Sequence, residues 1–227
     1  EKAIYYLRKK GQKVAALRSD REAREGVIIA TTTEDNKTGL VITLACETDF
    51  VAKNAEFVAF AQSIMDVALK SNVKSLEELL AARLDNVSIA DKINDQVARI
   101  GEKIQLTRFE RIDAEAVASY IHGAYRMGVL VGLNKNSVPA LQAGKDVAMQ
   151  IAAMNPVAVD PDSVSPEVVA REKAILTDQI KNDPKMAGKP DEMIDKIAIG
   201  KRNSFFKENT LTAQPLVKDP AKTVGDY

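Results

Sequence analysis

The apolar positions of the chain are densest in one stretch, where a short polar segment separates an apolar strand from a long apolar helix. The strand is predicted at 39–46 and the helix from about Asp49 to about Leu69. Thr48 is predicted to cap the first turn, where the Asp49 carboxylate suits the positive end of the helix dipole. Apolar side chains recur along the helix at spacings of three and four, the pattern of one buried stripe; they are Phe57, Ala61, Ile64 and Ala68.

Phe50 permits two interpretations. It lies seven residues before Phe57 and therefore on the same stripe. Because phenylalanine is among the residues most often buried, the spacing alone favours a core role. The polar neighbours Lys53 and Asn54 instead suit the tip of a helix. At this point the sequence leaves open whether the ring packs inward or protrudes.

A pair of strands followed by an apolar helix is predicted twice. Residues 26–33 and 40–46 form the first hairpin around a turn rich in Asp, Asn and Gly. The second hairpin is predicted within 103–134, starting with the alternating strand 104–109, and it precedes a helix at 141–154. The sequence therefore predicts an α+β fold built from two related hairpin-plus-helix subdomains.

Helices are also predicted outside this repeated pattern. Between the hairpins, residues 75–83 and 88–101 are helical by pattern, and Ser75 with Glu78 forms a capping box. The helical runs 166–181 and 190–207 are joined by a segment rich in helix-breaking residues, 181–190. Since each run has one charged face and one sparsely apolar face, we expect an antiparallel helical hairpin, a coiled coil that projects from the core.

The N-terminal 18 residues are predicted to form a short amphipathic helix that ends at Gly11 and continues as a basic linker. The run Arg8-Lys9-Lys10 resembles a nucleic-acid patch, but a solvated linker is the simpler interpretation of a short charged run.

Composition excludes several functional classes. The chain has 32 basic and 32 acidic residues and a formal net charge of zero, which argues against direct nucleic-acid binding by phosphate neutralisation. No run of about 18 apolar residues exists, so no membrane span is predicted. The single cysteine, Cys46, suits a reducing compartment and a buried position in the strand. The oligomeric state is not determined by the sequence.

The residues that catalysis needs are scarce. A nucleophile would have to use His122 as its base, because the chain has one histidine. Zinc would require several His or Cys residues at close spacing. Gly144-Lys145 resembles the end of a phosphate-binding loop, but Pro139 and Asp146 stand where that motif needs Gly and Ser or Thr. A small hydrolase or transferase is therefore disfavoured, and no cofactor or metal is predicted for this chain.

The segment Thr48-Asp49-Phe50-Val51-Ala52-Lys53-Asn54 resembles the signature of bacterial elongation factor Ts. The resemblance covers most of the chain through further segments: Ser19–Gly26, Ile100–Glu102, Tyr120–Gly123, Gly128–Val131, Leu211–Val217 and Asp219–Gly225. It implies a cytoplasmic guanine-nucleotide exchange factor that releases GDP from elongation factor Tu during translation. The Mg²⁺ ion and GDP then belong to the partner.

The resemblance also implies functional residues. In the family an Asp-Phe pair pushes into the nucleotide-binding domain of elongation factor Tu, so Asp49 and Phe50 form the expected wedge. Further matched contacts are Ile100 and Gly101 beside the wedge, His122, Val217 and Lys218. Lys218 departs from the apolar residue that the family pattern leads us to expect. A hydrogen-bonded structural histidine is the alternative interpretation of His122.

Domain boundaries follow from the pattern and the resemblance together. Residues 1–23 are interpreted as the remnant of an N-terminal helical module and its linker, since the family begins with such a module and continues beyond Tyr227. Residues 24–115 form the first core subdomain. Residues 116–164 form the second, which is completed by residues 210–227. Residues 165–209 form the helical hairpin. The alternative function is a non-catalytic, protein-binding or chaperone-like module that acts through this hairpin.

Overall fold

The computed structural model describes residues 2–186 and 189–227, which divide into two compact units. The first unit extends to Met149 and contains α1 (Lys2–Leu17), β1 (Glu25–Thr32), β2 (Thr38–Cys46), α2 (Asp49–Ala52), α3 (Ala55–Ser71), α4 (Leu76–Ala81), β3 (Arg83–Leu84), β4 (Val87–Ser88), α5 (Ile89–Ile100), β5 (Gln105–Asp113), β6 (Ala116–His122) and β7 (Met127–Leu133). Helix α6 (Val138–Met154) crosses the boundary. The second unit, Gln150–Tyr227, contains α7 (Pro166–Asn182), α8 (Asp191–Asn209), β8 (Pro215–Leu216) and β9 (Asp219–Thr223). The α+β class is confirmed.

The core of the first unit lies between helix α3 and an antiparallel sheet of order β1-β2-β5. The register pairs Val27 with Leu44 and Ile29 with Ile42, so alternate residues of both strands share one face. That face is fully buried against Phe57 and its helical neighbours. The stripe predicted at spacings of three and four is therefore the side of α3 that faces the sheet.

Strand β5 belongs to this sheet and not to the second hairpin, where its alternating pattern was predicted to pair. It pairs antiparallel with β2, with Ile42 opposite Phe109. The second hairpin consists of β6 and β7 alone, with Ala118 opposite Val131. The prediction was wrong because alternation shows that one face of a strand is buried, whereas the neighbouring strand is chosen by tertiary packing.

The β6–β7 hairpin stacks on the face of the sheet that α3 leaves uncovered, and glycine makes this close approach possible. A Cβ atom at Gly128 would lie 2.7 Å from Cγ2 of Ile28 and 3.1 Å from Cβ of Ala30. Helix α6 then packs on the hairpin through Gly144, where a Cβ atom would lie 2.8 Å from that of Ala118. Helix α3 therefore covers one face of the sheet, and the β6–β7 hairpin packs on the other.

Helix α1 does not end at Gly11, contrary to the prediction, and residues 12–17 are helical instead of forming a linker. Gly11 is buried, and a Cβ atom there would lie 2.8 Å from the carbonyl oxygen of Asn94 on α5. Glycine weakens an isolated helix, but here its missing side chain lets two helices touch. Tertiary packing therefore outweighs the intrinsic preference of glycine.

In the second unit a buried amide pair joins the end of α6 to the returning chain. The Gln150 side chain donates to Oε1 of Gln214 and to the carbonyl of Pro215. The helices α7 and α8 contact one another, as the two predicted runs require. The predicted connection 181–190 includes residues 187 and 188, which lie outside the described residues. That α7 and α8 form a coiled coil stays a prediction.

Within residues 2–186 and 189–227, no helix combines the length and apolar character that a membrane crossing requires.

The close approach at Gly128 leads to a prediction. Gly128→Ala should lower the free energy of unfolding by about 1–3 kcal/mol, because the new methyl group overpacks the interface with Ile28. Gly132→Ala on the same strand is the matched control, since its Cβ would meet Ala114 at an ordinary 3.4 Å. Urea denaturation of both variants makes the comparison, and equal stabilities would contradict the packing described above.

Candidate functional site

The chain turns sharply after Cys46 and forms two helices where one was predicted. Helix α2 is a single short turn whose N-cap, Thr48, accepts a hydrogen bond from the Val51 amide, as predicted for that residue. Asn54 then begins a new helix, because its side chain accepts hydrogen bonds from the amides of Glu56 and Phe57. The predicted continuous helix from Asp49 to Leu69 is therefore wrong, and the second cap is the cause.

This break moves Phe50 off the buried stripe. The Phe50 side chain is 83% exposed, whereas Phe57 is 2% exposed, so the core interpretation of Phe50 is wrong. Its neighbours Val51 and Ala52 are half-buried and pack against the core. The short helix is thus anchored on one side and presents an aromatic ring to solvent on the other. We call residues 48–54 the tip.

The carboxylate of Glu102 holds the tip at its base. One oxygen accepts hydrogen bonds from the amides of Glu47 and Thr48, both at 3.0 Å, and the other accepts from Thr48 Oγ1 at 2.6 Å. Gly101, which has a left-handed φ of 81°, ends α5 immediately before Glu102. Because only glycine adopts this conformation readily, Gly101 acts as the hinge that brings Glu102 to the tip.

Glu47 forms a second layer of polar contacts. Its carboxylate accepts hydrogen bonds from the Lys103 amide at 2.6 Å, from Arg18 at 3.2 Å and from Arg21 at 3.1 Å. Burial acts to raise the pKa of Glu47, but these hydrogen bonds outweigh it and hold the pKa below 4.5. The network ties the segment after α1 to the tip and to the segment after α5.

An open depression of about 460 Å³ lies beside Phe50. Ile100 forms part of its wall, so the fold brings together Phe50 and Ile100, which are far apart in the sequence. An ion pair between Glu56 and Arg99, with a separation of 3.2 Å, also borders the depression. Sequence reasoning missed these two charged residues, because one charged residue on a helix resembles any other until the helices are packed.

The charged residues of the tip interact with each other. Lys53 Nζ donates to the Asp49 carboxylate at 2.7 Å, one helical turn apart. This hydrogen bond is the main reason that the pKa of Asp49 lies below 3.8. Asp49 is therefore ionised at neutral pH and remains accessible to solvent.

His122 lies at the end of β6 and is exposed. Its Nδ1 is 3.0 Å from the hydroxyl of Tyr120, two residues earlier on the same strand. The turn that follows contains three consecutive left-handed residues, Gly123, Ala124 and Tyr125. The histidine therefore combines one local hydrogen bond with an accessible ring, and the structural and contact interpretations are both compatible with this geometry.

Val217 and Lys218 belong to the second unit. The Val217 side chain is 58% exposed, and its amide donates to Oε1 of Gln150 at 2.8 Å. Lys218 is exposed as well. These two residues form a separate exposed segment whose backbone is fixed by the buried amide pair.

Cys46 is buried at the end of β2, where its thiol donates to the carbonyl of Thr48 at 3.2 Å. Burial raises the pKa of the Cys46 thiol to about 12, so the thiolate needed for nucleophilic attack is scarce at neutral pH. Within the described residues, no cluster of three or more His, Cys, Asp or Glu side chains is arranged to hold a metal ion.

Comparison with known proteins identifies the family. The sequence profile described as Elongation factor TS matches residues 47–227, more than half of the chain. The elongation factor Ts of Christiangramia forsetii is 46% identical over 225 residues, which cover 99% of this chain and 80% of that protein. That of Flavobacterium psychrophilum is 44% identical with the same coverage, and that of Chlorobaculum tepidum is 40% identical, covering 96% of this chain and 77% of that protein.

These matches identify a protein of translation elongation, the class that the tip sequence indicated. More particularly, the chain belongs to the elongation factor Ts family. The resemblance drawn from residues 48–54 is thereby confirmed.

The hydrogen bonds to the Glu47 carboxylate predict that the stability of the fold depends on pH. Glu47→Gln should lower the free energy of unfolding by about 1 kcal/mol at neutral pH, because three donors, two of them partly buried, lose a charged acceptor. Since the folded pKa lies below 4.5, the advantage of the wild type is complete above pH 4.5 and is lost as the pH falls through the folded pKa. Urea denaturation at pH values above and below 4.5 measures the difference in unfolding free energy between the wild type and Glu47→Gln. The variant Glu34→Gln, at an exposed position, is the control. A difference that is independent of pH would contradict the assignment.

Proposed function

We propose that this protein promotes release of GDP from elongation factor Tu in the cytoplasm, and that Phe50 is the wedge. The observation that carries the proposal is an aromatic ring 83% exposed on a short helix whose base is fixed by the hydrogen bonds of Glu102. An exposed aromatic side chain is a frequent anchor of protein interfaces. Because the backbone of the tip is held by hydrogen bonds, insertion of the ring would displace groups of the partner. A ring on a flexible loop would move instead of the partner.

The exchange reaction requires no covalent chemistry from this chain. Bound Mg²⁺ demands a nearly ideal octahedron of oxygen ligands, so a small displacement of the partner's ligands weakens its hold on the nucleotide. Burying one ring yields about 1.5–3 kcal/mol, and each ~1.4 kcal/mol spent on distortion changes nucleotide affinity tenfold. A large acceleration therefore needs further contacts around Phe50.

Several residues supply such contacts in this proposal. Asp49 acts with Phe50 at the tip, and Ile100 with Gly101 supports the side of the depression that receives the partner. His122, and Val217 with Lys218, provide separate contacts through their exposed side chains. By linkage, if this protein weakens nucleotide binding, the nucleotide weakens the binding of this protein equally. Exchange is therefore reversible, and the factor is regenerated.

The alternative, a non-catalytic binding or chaperone-like module, rests on the pair α7–α8. A groove of about 310 Å³ runs between these helices and is lined by Leu176, Ala198 and Ile199. Ile175, Met193 and Ile199 are each exposed by 42% or more. Such apolar positions favour partner contact, but they give no route to nucleotide release.

Removal of the ring tests the wedge. Phe50→Ala should slow release of fluorescent GDP from elongation factor Tu about ten- to a hundredfold, because a burial energy of about 1.5–3 kcal/mol is lost. Its unfolding midpoint should not change, since the ring contributes little to the core. Stopped-flow fluorescence measures the rate, and Tyr5→Ala, which removes another exposed ring, is the control. Release at the wild-type rate would refute the wedge and favour the α7–α8 alternative.

The support of the tip is tested separately. Glu102→Gln should slow GDP release several-fold although Phe50 is intact, because the amide side chain cannot accept all three hydrogen bonds equally well. Its unfolding free energy should fall by about 1–3 kcal/mol. The exposed Glu110→Gln on β5 is the matched control. Unchanged release from a destabilised Glu102→Gln protein would show that the hydrogen bonds serve stability alone.

A further inference from the structure

The β6–β7 hairpin covers only part of the sheet face on which it stacks. It covers Ile28, Ala30 and Val41, as the close approach of Gly128 shows. Nearer the tip, the same face remains open and forms a depression of about 250 Å³. The residues that line it are Ala23, Arg24, Glu25, Gly26, Ile28, Thr43, Ala45, Thr107 and Arg126.

Arg126 reaches this depression from a strained turn. Gly123, Ala124 and Tyr125 have φ values of 63°, 53° and 69°, and left-handed geometry is unfavourable for alanine and tyrosine. The turn is held because the Ile28 amide donates to the carbonyl of Tyr125 at 2.8 Å, and the Arg126 amide donates to the carbonyl of His122 at 3.1 Å. Strain that the surrounding fold maintains is concentrated at functional sites.

The guanidinium group of Arg126 has a weak intramolecular partner. Its side chain is 61% exposed, and its ion pair with Glu25 has a separation of 3.7 Å, too long for a hydrogen bond. Within the described part of the chain, no hydrogen bond donated by this guanidinium occurs. Arg24, which also lines the depression, is 80% exposed and pairs with Glu22. Arg126 is therefore available to an external acceptor.

The depression adjoins the tip. In the β1–β2 register Glu25 lies opposite Cys46, which precedes Thr48 by two residues. Helix α2 packs against β1. Arg126 is also near enough to Asp49 to contribute to the lowered pKa of that carboxyl group, after the larger effect of Lys53. Arg126 therefore lies close to the tip on which the partner docks in the proposed function.

We propose that this depression is a further contact site for the partner of the tip and takes a carboxylate side chain of that protein, with Arg126 as its principal ligand. The inference rests on the proposed function. A planar guanidinium binds a carboxylate through two parallel hydrogen bonds. Ile28 and Ala45 in the lining offer apolar surface to the aliphatic part of an acidic side chain. A polyanion such as RNA needs several unpaired cationic groups, whereas of these two arginines Arg24 is paired with Glu22 and the weakly paired Arg126 is left for a single carboxylate.

Charge reversal tests this site. Arg126→Glu should weaken binding to elongation factor Tu at least tenfold, and most of the loss should disappear at high salt, where a repulsive charge pair is screened. Arg126→Lys should lose less, because the charge is kept but the two parallel hydrogen bonds are not. Arg83→Glu makes the same charge change at an exposed position of β3 that does not line the depression and should bind within twofold of the wild type. Titration calorimetry at two salt concentrations measures all four proteins.

The outcomes separate this inference from the function on which it rests. If Arg126→Glu and Arg83→Glu bind elongation factor Tu with equal affinity, the site is wrong, even if Phe50→Ala slows GDP release as expected. If Phe50→Ala leaves release unchanged, the wedge is wrong, whatever Arg126 contributes to affinity. If Arg126→Glu lowers the unfolding midpoint, its weaker binding could come from instability, and the affinity of Arg126→Lys then tests the contact. Equal affinity of Arg126→Lys and the wild type would overturn the bidentate contact.

Discussion

The hydrogen bonds accepted by the Glu102 carboxylate are the constraint on which the tip depends. Three donors from Glu47 and Thr48 converge on this one side chain, and charge-assisted hydrogen bonds of this kind are stronger than neutral ones. They fix the strand end at the point where the first helical turn starts. A four-residue helix such as α2 is unstable in water by itself, so these hydrogen bonds add to the Thr48 cap and to the packing of Val51 and Ala52.

A second layer makes that arrangement rigid. Glu47 accepts from Lys103 and from two arginines that follow α1, and Gly11 lets α1 pack closely against α5. The segments before β1, after β2 and after α5 are thereby joined at one corner of the sheet. These contacts explain how the Phe50 ring can be exposed to solvent although the backbone that carries it is fixed.

The opposite face of the sheet contributes in a different way. Close packing at Gly128 brings the β6–β7 hairpin onto β1 and β2, and the strained turn beyond it carries Arg126 towards the tip. His122 precedes this turn, so one hairpin presents both side chains. In our proposals, hydrophobic packing between glycine-containing strands therefore determines where the polar contacts with the partner lie.

The sequence by itself determined the family, the α+β class and most helices and strands, because these follow from motif residues and from local periodicity. It also identified the N-cap at Thr48. The cap at Asn54 that exposes Phe50 is also a local signal, which the prediction missed, since its side chain accepts from amides two and three residues ahead. Two features were decided by tertiary structure alone: the pairing of β5 with β2 and the continuation of α1 through Gly11. Each depends on a choice between locally similar alternatives, and only long-range packing makes that choice.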